Sequence, residues 1–89
     1  MGNILLDKIS RALDKCCDSR NITKLDKIII VVNENSRLDS SELYNYLRSH
    51  NDSITHKLTE VKIEFDDLPD QVVIIKSIEG EDIEGMTEN

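Results

Sequence analysis

The chain has no tryptophan, one phenylalanine and two tyrosines, so aromatic rings cannot build its core. Ile, Leu and Val must do so, within a hydrophobic fraction of 38 %. Cysteine is confined to one adjacent pair, Cys16 and Cys17. Neighbouring cysteines rarely close a disulfide, because the bond geometry is strained. Basic residues are the minority, 11 against 18 acidic, for a net charge of −7. Phosphate recognition needs clustered Lys and Arg, so a nucleic-acid partner is not expected. The acidic excess suits solubility, and it would also suit a cationic partner or a metal ion. There is no run of about 20 apolar residues and no secretory hydrophobic region, so neither membrane insertion nor export is expected and the default compartment is cytoplasmic. The sequons at Asn21 and Asn51 then read as chance, and Leu6 stands where an N-myristoylation start wants Ser or Thr. A Gly-rich phosphate loop, a Gly-x-Ser-x-Gly elbow and a paired Cys and His at a motif spacing are all missing, so the chain is not expected to be an enzyme.

What is present is concentrated between Val61 and Glu79. Val61, Ile63 and Phe65 alternate with Lys62 and Glu64, the period of a strand with one buried face. Asp66 to Gln71 is acidic and holds the single proline, Pro69, so it reads as a connection. Val72 to Glu79 opens with four β-branched residues and reads as a more deeply buried strand. Two strands so closely joined are expected to pair as antiparallel neighbours.

Upstream, Leu5, Ile9, Ala12, Leu13 and Cys16 form an apolar stripe that predicts a helix over residues 4–19, with Leu6 and Cys17 beside the stripe. Asn21 is a suitable left-handed stop. Ile22 to Asp26 reads as a connector. Lys27 to Val32 holds five consecutive β-branched residues and predicts a strand buried on most of both faces. After the polar turn 33–37, Asp39 can cap a second helix, with Glu42 three residues on and Leu38 placed to staple onto Leu43. Leu43, Tyr46, Leu47 and His50 share one face of it, and Asn51 to Ser53 ends it. Ile54 and Leu58 fit either a further helical turn or a packed loop.

The order is α-β-α-β-β in 89 residues, one small domain of the α+β class. The expected product is a three-stranded mixed sheet with both helices on one face. Ile29, Val31, Val73 and Ile75 are candidates to line the open face if Ile28, Ile30 and Val32 face the helices. The domain is expected over 1–80, with an acidic, flexible tail over 81–89.

The wording of the strands resembles the HypA family, nickel-insertion accessory proteins of hydrogenase and urease maturation. Val61-Lys62-Ile63-Glu64-Phe65-Asp66-Asp67-Leu68-Pro69 is similar to the family's strand that ends in two acids, an aliphatic and a proline. Ile74-Ile75-Lys76-Ser77-Ile78-Glu79 is similar to its final strand. The resemblance covers about residues 1–80 and implies the same scaffold. The departures are chemical. Members begin Met-His-Glu and bind nickel there; here Met1-Gly2-Asn3 lacks the imidazole. Members carry a zinc lobe with two Cys-x-x-Cys pairs between the last two strands; here Pro69-Asp70-Gln71 passes straight across.

Other candidate groups favour structural roles. Cys16 and Cys17 diverge by about 100° on a helix, which sends one to the core and one to its edge rather than making a metal or redox pair. His50 and His56 lie six apart, off any common helix face. Asp66, Asp67 and Asp70 lack the glycine and spacing of a calcium loop. Tyr44 and Tyr46, two apart, make no stacking platform, and Tyr46 belongs to the core. No catalytic, cofactor-binding or metal residue is therefore assigned. The sequence supports a HypA-like accessory protein whose metal sites are lost, acting by docking a maturation factor, a metalloenzyme or a copy of itself through the open sheet face. The alternatives are a nickel metallochaperone with a displaced site, using Asn3, His50 or His56, or an unrelated small regulatory domain.

Overall fold

The computed structural model describes residues 4–82. The start Met1-Gly2-Asn3, with the candidate ligand Asn3, and residues 83–89 of the expected tail lie outside them. The order is α1 (Ile4–Arg20), β1 (Ile22–Asn33), α2 (Ser40–His50), β2 (Thr55–Asp66) and β3 (Val73–Asp82). The α+β architecture is as expected: one mixed sheet, with the apolar sides of both helices in a single core against it.

The strand order departs from expectation. It is β2-β1-β3, so β2 and β3 flank β1 and do not pair with each other. β1 runs parallel to β2 and antiparallel to β3. The most apolar strand takes the centre, where Ile28, Ile30 and Val32 are fully buried. The connection from Asp67 to Val72 crosses the end of β1 instead of turning back. Glu34 N–H donates to Asp66 O at 3.0 Å, and the Asn33 side-chain amide donates to Leu68 O. Two inter-strand steps are only about 9–10 Å, within reach of six extended residues.

The segment expected to be a connector, Ile22 to Asp26, is the first part of β1. Ile22 pairs with Asp82 and Leu25 with Gly80. Ile54 packs against the core from the turn after α2, whereas Leu58 is neither helical nor in a loop but part of β2, which begins at Thr55. β3 likewise runs two residues beyond the expected domain boundary at 80. These extensions arise because β1, paired on both sides, lengthens its partners through backbone bonds that no side-chain pattern announces.

Local chemistry fixes the ends of the helices. Asn21 stops α1 at φ 58°. Asp39 caps α2, its carboxylate accepting from Ser41 N–H at 3.1 Å. Asn51 N–H donates to Leu47 O at 2.7 Å and ends α2. The buried stripe of α1 is rotated from the expected one: Leu6, Ile9, Ser10, Leu13 and Cys17 are buried, while Cys16 is half-buried. A polar lock between the helices accounts for the rotation. Ser10 Oγ donates to Asn51 Oδ1 at 2.6 Å, and the Asn51 amide donates to Asp14 Oδ1 at 2.7 Å and to Ser10 O at 3.2 Å. Satisfied in this way, Ser10 and Asn51 lie in the core at little cost.

Candidate functional site

β1 and β3 pair with three register shifts, between Ile22 and Lys24, Leu25 and Lys27, and Ile29 and Ile30, and the last two set which side chains reach each sheet face in the middle of the sheet. On β3 the register jumps between Ile29↔Ser77 and Ile30↔Ile75, so Lys76 is the extra residue. Without it, Ile78 and Ile75 would point to opposite faces; with it, Ile78, Ile75 and Val73 all turn toward the helices. The expected open face is corrected accordingly. Ile29 and Val31 stay on it, half-buried, but Val73 and Ile75 pack against the core and Ile74 takes the outer place.

That face is edged with charge. Its rows read Glu60–Lys27–Glu79, Lys62–Ile29–Ser77 and Glu64–Val31–Ile74. Lys76 Nζ reaches over the central strand to Glu64 Oε1 at 2.9 Å. This bond, more than the neighbouring positive charges, holds the Glu64 carboxyl below its usual range.

The second bulge, between Leu25 and Lys27, makes Asp26 the extra residue of β1. Opposite it, β2 arches over residues 56–59. Thr59 Oγ1 donates to Leu25 O at 2.6 Å and accepts His56 N–H at 3.0 Å. Leu58 N–H donates to His56 Nδ1 at 3.2 Å, which leaves the ring proton on Nε2, facing Asp26 Oδ1 at 3.4 Å. His50 is engaged elsewhere: its ring stacks on Tyr46 at 3.9 Å between centroids, and its Nδ1 lies 3.0 Å from Tyr46 O. Each histidine is thus held by its own local partners. Among the described residues, no group of three or more His, Cys, Asp or Glu could hold a metal ion. Tyr46 is half-buried against the core, and Tyr44 donates its hydroxyl to Lys57 O at 3.0 Å. In the acidic connection, Asp66 Oδ1 accepts Asp67 N–H at 2.7 Å, a local turn bond.

Cys17 is buried and Cys16 lies at the edge, both as free thiols, in keeping with their divergence on the helix. Burial is the main cause that pushes the Cys17 thiol up to about 11; Cys16 and Asp14 add to it and Arg20 opposes it.

The side of α1 next to β3 was not anticipated as a surface. Cys16, Ser19 and Arg20 face Ile75, Lys76, Ser77 and Ile78 across a hollow of about 130 Å³. A wider hollow of about 600 Å³ continues it past Arg20, Asn21 and Ile22 to Glu79 and Gly80. The helical period places Lys8, Cys16 and Ser19 on this flank, but only the sheet order makes it border an edge strand that is unpaired on its outer side among the described residues. Among the described residues, no helix is long and apolar enough to cross a membrane.

No protein-family model matches the chain, and neither a curated protein nor a solved structure matches it.

Proposed function

We propose that this chain is a non-enzymatic interaction module built on a HypA-like scaffold, a cytoplasmic accessory protein related to hydrogenase maturation that docks a protein partner and has shed its metal chemistry. The observation that carries the reading is the β2–β3 connection. The family's zinc lobe belongs between the last two strands, and here residues 67–72 only bridge over the end of β1. The α-β-α-β-β order and the mixed sheet are compatible with that scaffold. Nothing about the two histidines favours a displaced nickel site, because His50 is stacked on Tyr46 within α2 and His56 is engaged by Leu58 N–H and by Asp26 of β1.

Calorimetric titration of the untagged protein with nickel tests the loss of the metal site. The expected result is no stoichiometric uptake at micromolar concentrations. Stoichiometric submicromolar binding would overturn the reading. His50→Ala and His56→Ala variants would then show whether those rings supply the ligands.

A further inference from the structure

The two edges of the sheet are not equivalent. β2, one edge strand, pairs with no further strand on its outer side among the described residues, but the Tyr44 hydroxyl of α2 already bonds the backbone carbonyl of its Lys57. Among the described residues, no strand pairs with the outer edge of β3. An unpaired edge presents backbone donors and acceptors in register for another strand. Beside it runs the groove formed by the two hollows, which share Ser19, Arg20 and Ile78. Edge strand, groove and flanking helix together make the arrangement that accepts an extended peptide by strand addition.

Charge selects the occupant. The chain carries −7 overall, yet one cation, Arg20, lines the far part of this groove and another, Lys8, stands near the start of β3. Lys8 donates to Gln71 O at 2.7 Å, with two further ammonium protons to offer. Arg20 stands at the far end, while the Lys76 ammonium is turned to the opposite sheet face and bonded to Glu64; Glu79 is the one carboxylate among the lining residues. Three ion pairs form among the described residues, and Arg20 is in none of them. From Lys8 to Arg20, α1 rises about 18 Å, which five or six strand residues span.

We infer that this groove binds an extended acidic segment of a protein partner, which adds to β3 as a fourth strand. Its carboxylates, spaced five or six residues apart, meet Lys8 and Arg20, and its apolar residues meet Ile75 and Ile78. The inference rests on the docking part of the function proposed above, and names the partner's chemistry.

The test uses the full chain, labelled with ¹⁵N, and a capped eight-residue peptide, Asp-Glu-Val-Thr-Ile-Thr-Glu-Asp, with a counterpart in which Lys replaces each acid. The acidic peptide should shift amides of β3 and of residues 16–21, and slow hydrogen exchange at alternate β3 amides. Arg20→Gln and the charge-reversed peptide should each weaken binding by roughly tenfold. Arg20 is exposed, so the variant should remain folded, and its spectrum verifies that directly. Three results would overturn the inference: no shift with the acidic peptide at millimolar concentration, shifts confined to another surface, or concentration-dependent shifts of β3 without peptide. The last would assign the edge to a second copy of the chain. Nickel uptake in the calorimetric test strikes the scaffold reading and not this groove, so the two failures are separable.

Discussion

Lys76 and Glu64 join the two outer strands across the strand that separates them. Their 2.9 Å contact passes above β1 between Ile29 and Val31, on the sheet face opposite α1 and α2. The bulge that makes Lys76 the extra residue of β3 turns three neighbouring apolar residues inward, and it leaves the ammonium on the solvent side. Long charged side chains can shelter β-branched residues beneath their stems, which fits the half-buried state of Ile29 and Val31.

This pair has a pH signature. Glu64 ionises below its usual value of 4.5 because Lys76 bonds its carboxylate. A carboxyl lowered in the folded state contributes stability above the unfolded value, and that contribution fades as the pH falls below about 4.5. Lys76→Met should return the Glu64 titration toward the ordinary range, as followed by carboxyl-carbon NMR. It should also flatten the acid limb of the urea midpoint against pH. An unchanged Glu64 titration in that variant would count against the contact.

One substitution at two threonines should give opposite signs. Thr55 Oγ1 is buried with no hydrogen-bond partner. Thr55→Val removes an unsatisfied polar atom at nearly constant shape, and should be neutral or stabilise by about 1 kcal/mol. Thr59 Oγ1 bonds both Leu25 O and His56 N–H in the arch of β2. Thr59→Val leaves both groups without that partner and should destabilise by about 1–3 kcal/mol. Urea denaturation of the two variants side by side decides the matter.

The adjacent cysteines should differ in reactivity. The Cys17 thiol is buried and its pKa is raised to about 11, so it should resist a thiol reagent at pH 8 until the protein is unfolded. Cys16, at the groove edge, should react first. Mass spectrometry of the partly labelled protein locates the modified residue. The sign of the shift also has a consequence for stability. A thiol whose folded value lies above the ordinary 9.0 leaves stability intact below pH 9, and lowers it progressively as the pH rises toward 11.

Gly80 fixes the approach of β3 to β1. A Cβ there would collide with the backbone carbonyl of Lys24 and come within 2.8 Å of Ile22 Cγ2. The carbonyl belongs to the paired strand and cannot swing aside as a side-chain tip would. Gly80→Ala should therefore cost about 1–3 kcal/mol. It should also weaken hydrogen-exchange protection at the Ile22 end of β1, where Leu25 pairs with Gly80.

The sequence by itself determined the number and type of the elements, because the 3.6-residue and two-residue periods follow from backbone geometry and the solvent boundary. It determined the cap at Asp39 and the stop at Asn21, both local bonds or local φ preferences. It also placed one cysteine inside and one at the edge, since neighbours on a helix diverge by about 100°. Only the tertiary structure decided the strand order, because six residues can either fold back or bridge a strand and nothing in Asp66 to Gln71 chooses between them. The choice came from β1, whose apolar run is best buried between two neighbours. Tertiary structure likewise decided the turn of α1, since Ser10 is buried for the sake of Asn51, 41 positions away. The outward-facing residues followed from bulges at Asp26 and Lys76, which a period-two pattern does not reveal. Val61 to Glu79 was legible as two strands; that they stand apart, as the two edge strands of the sheet among the described residues, was settled by where β1 went.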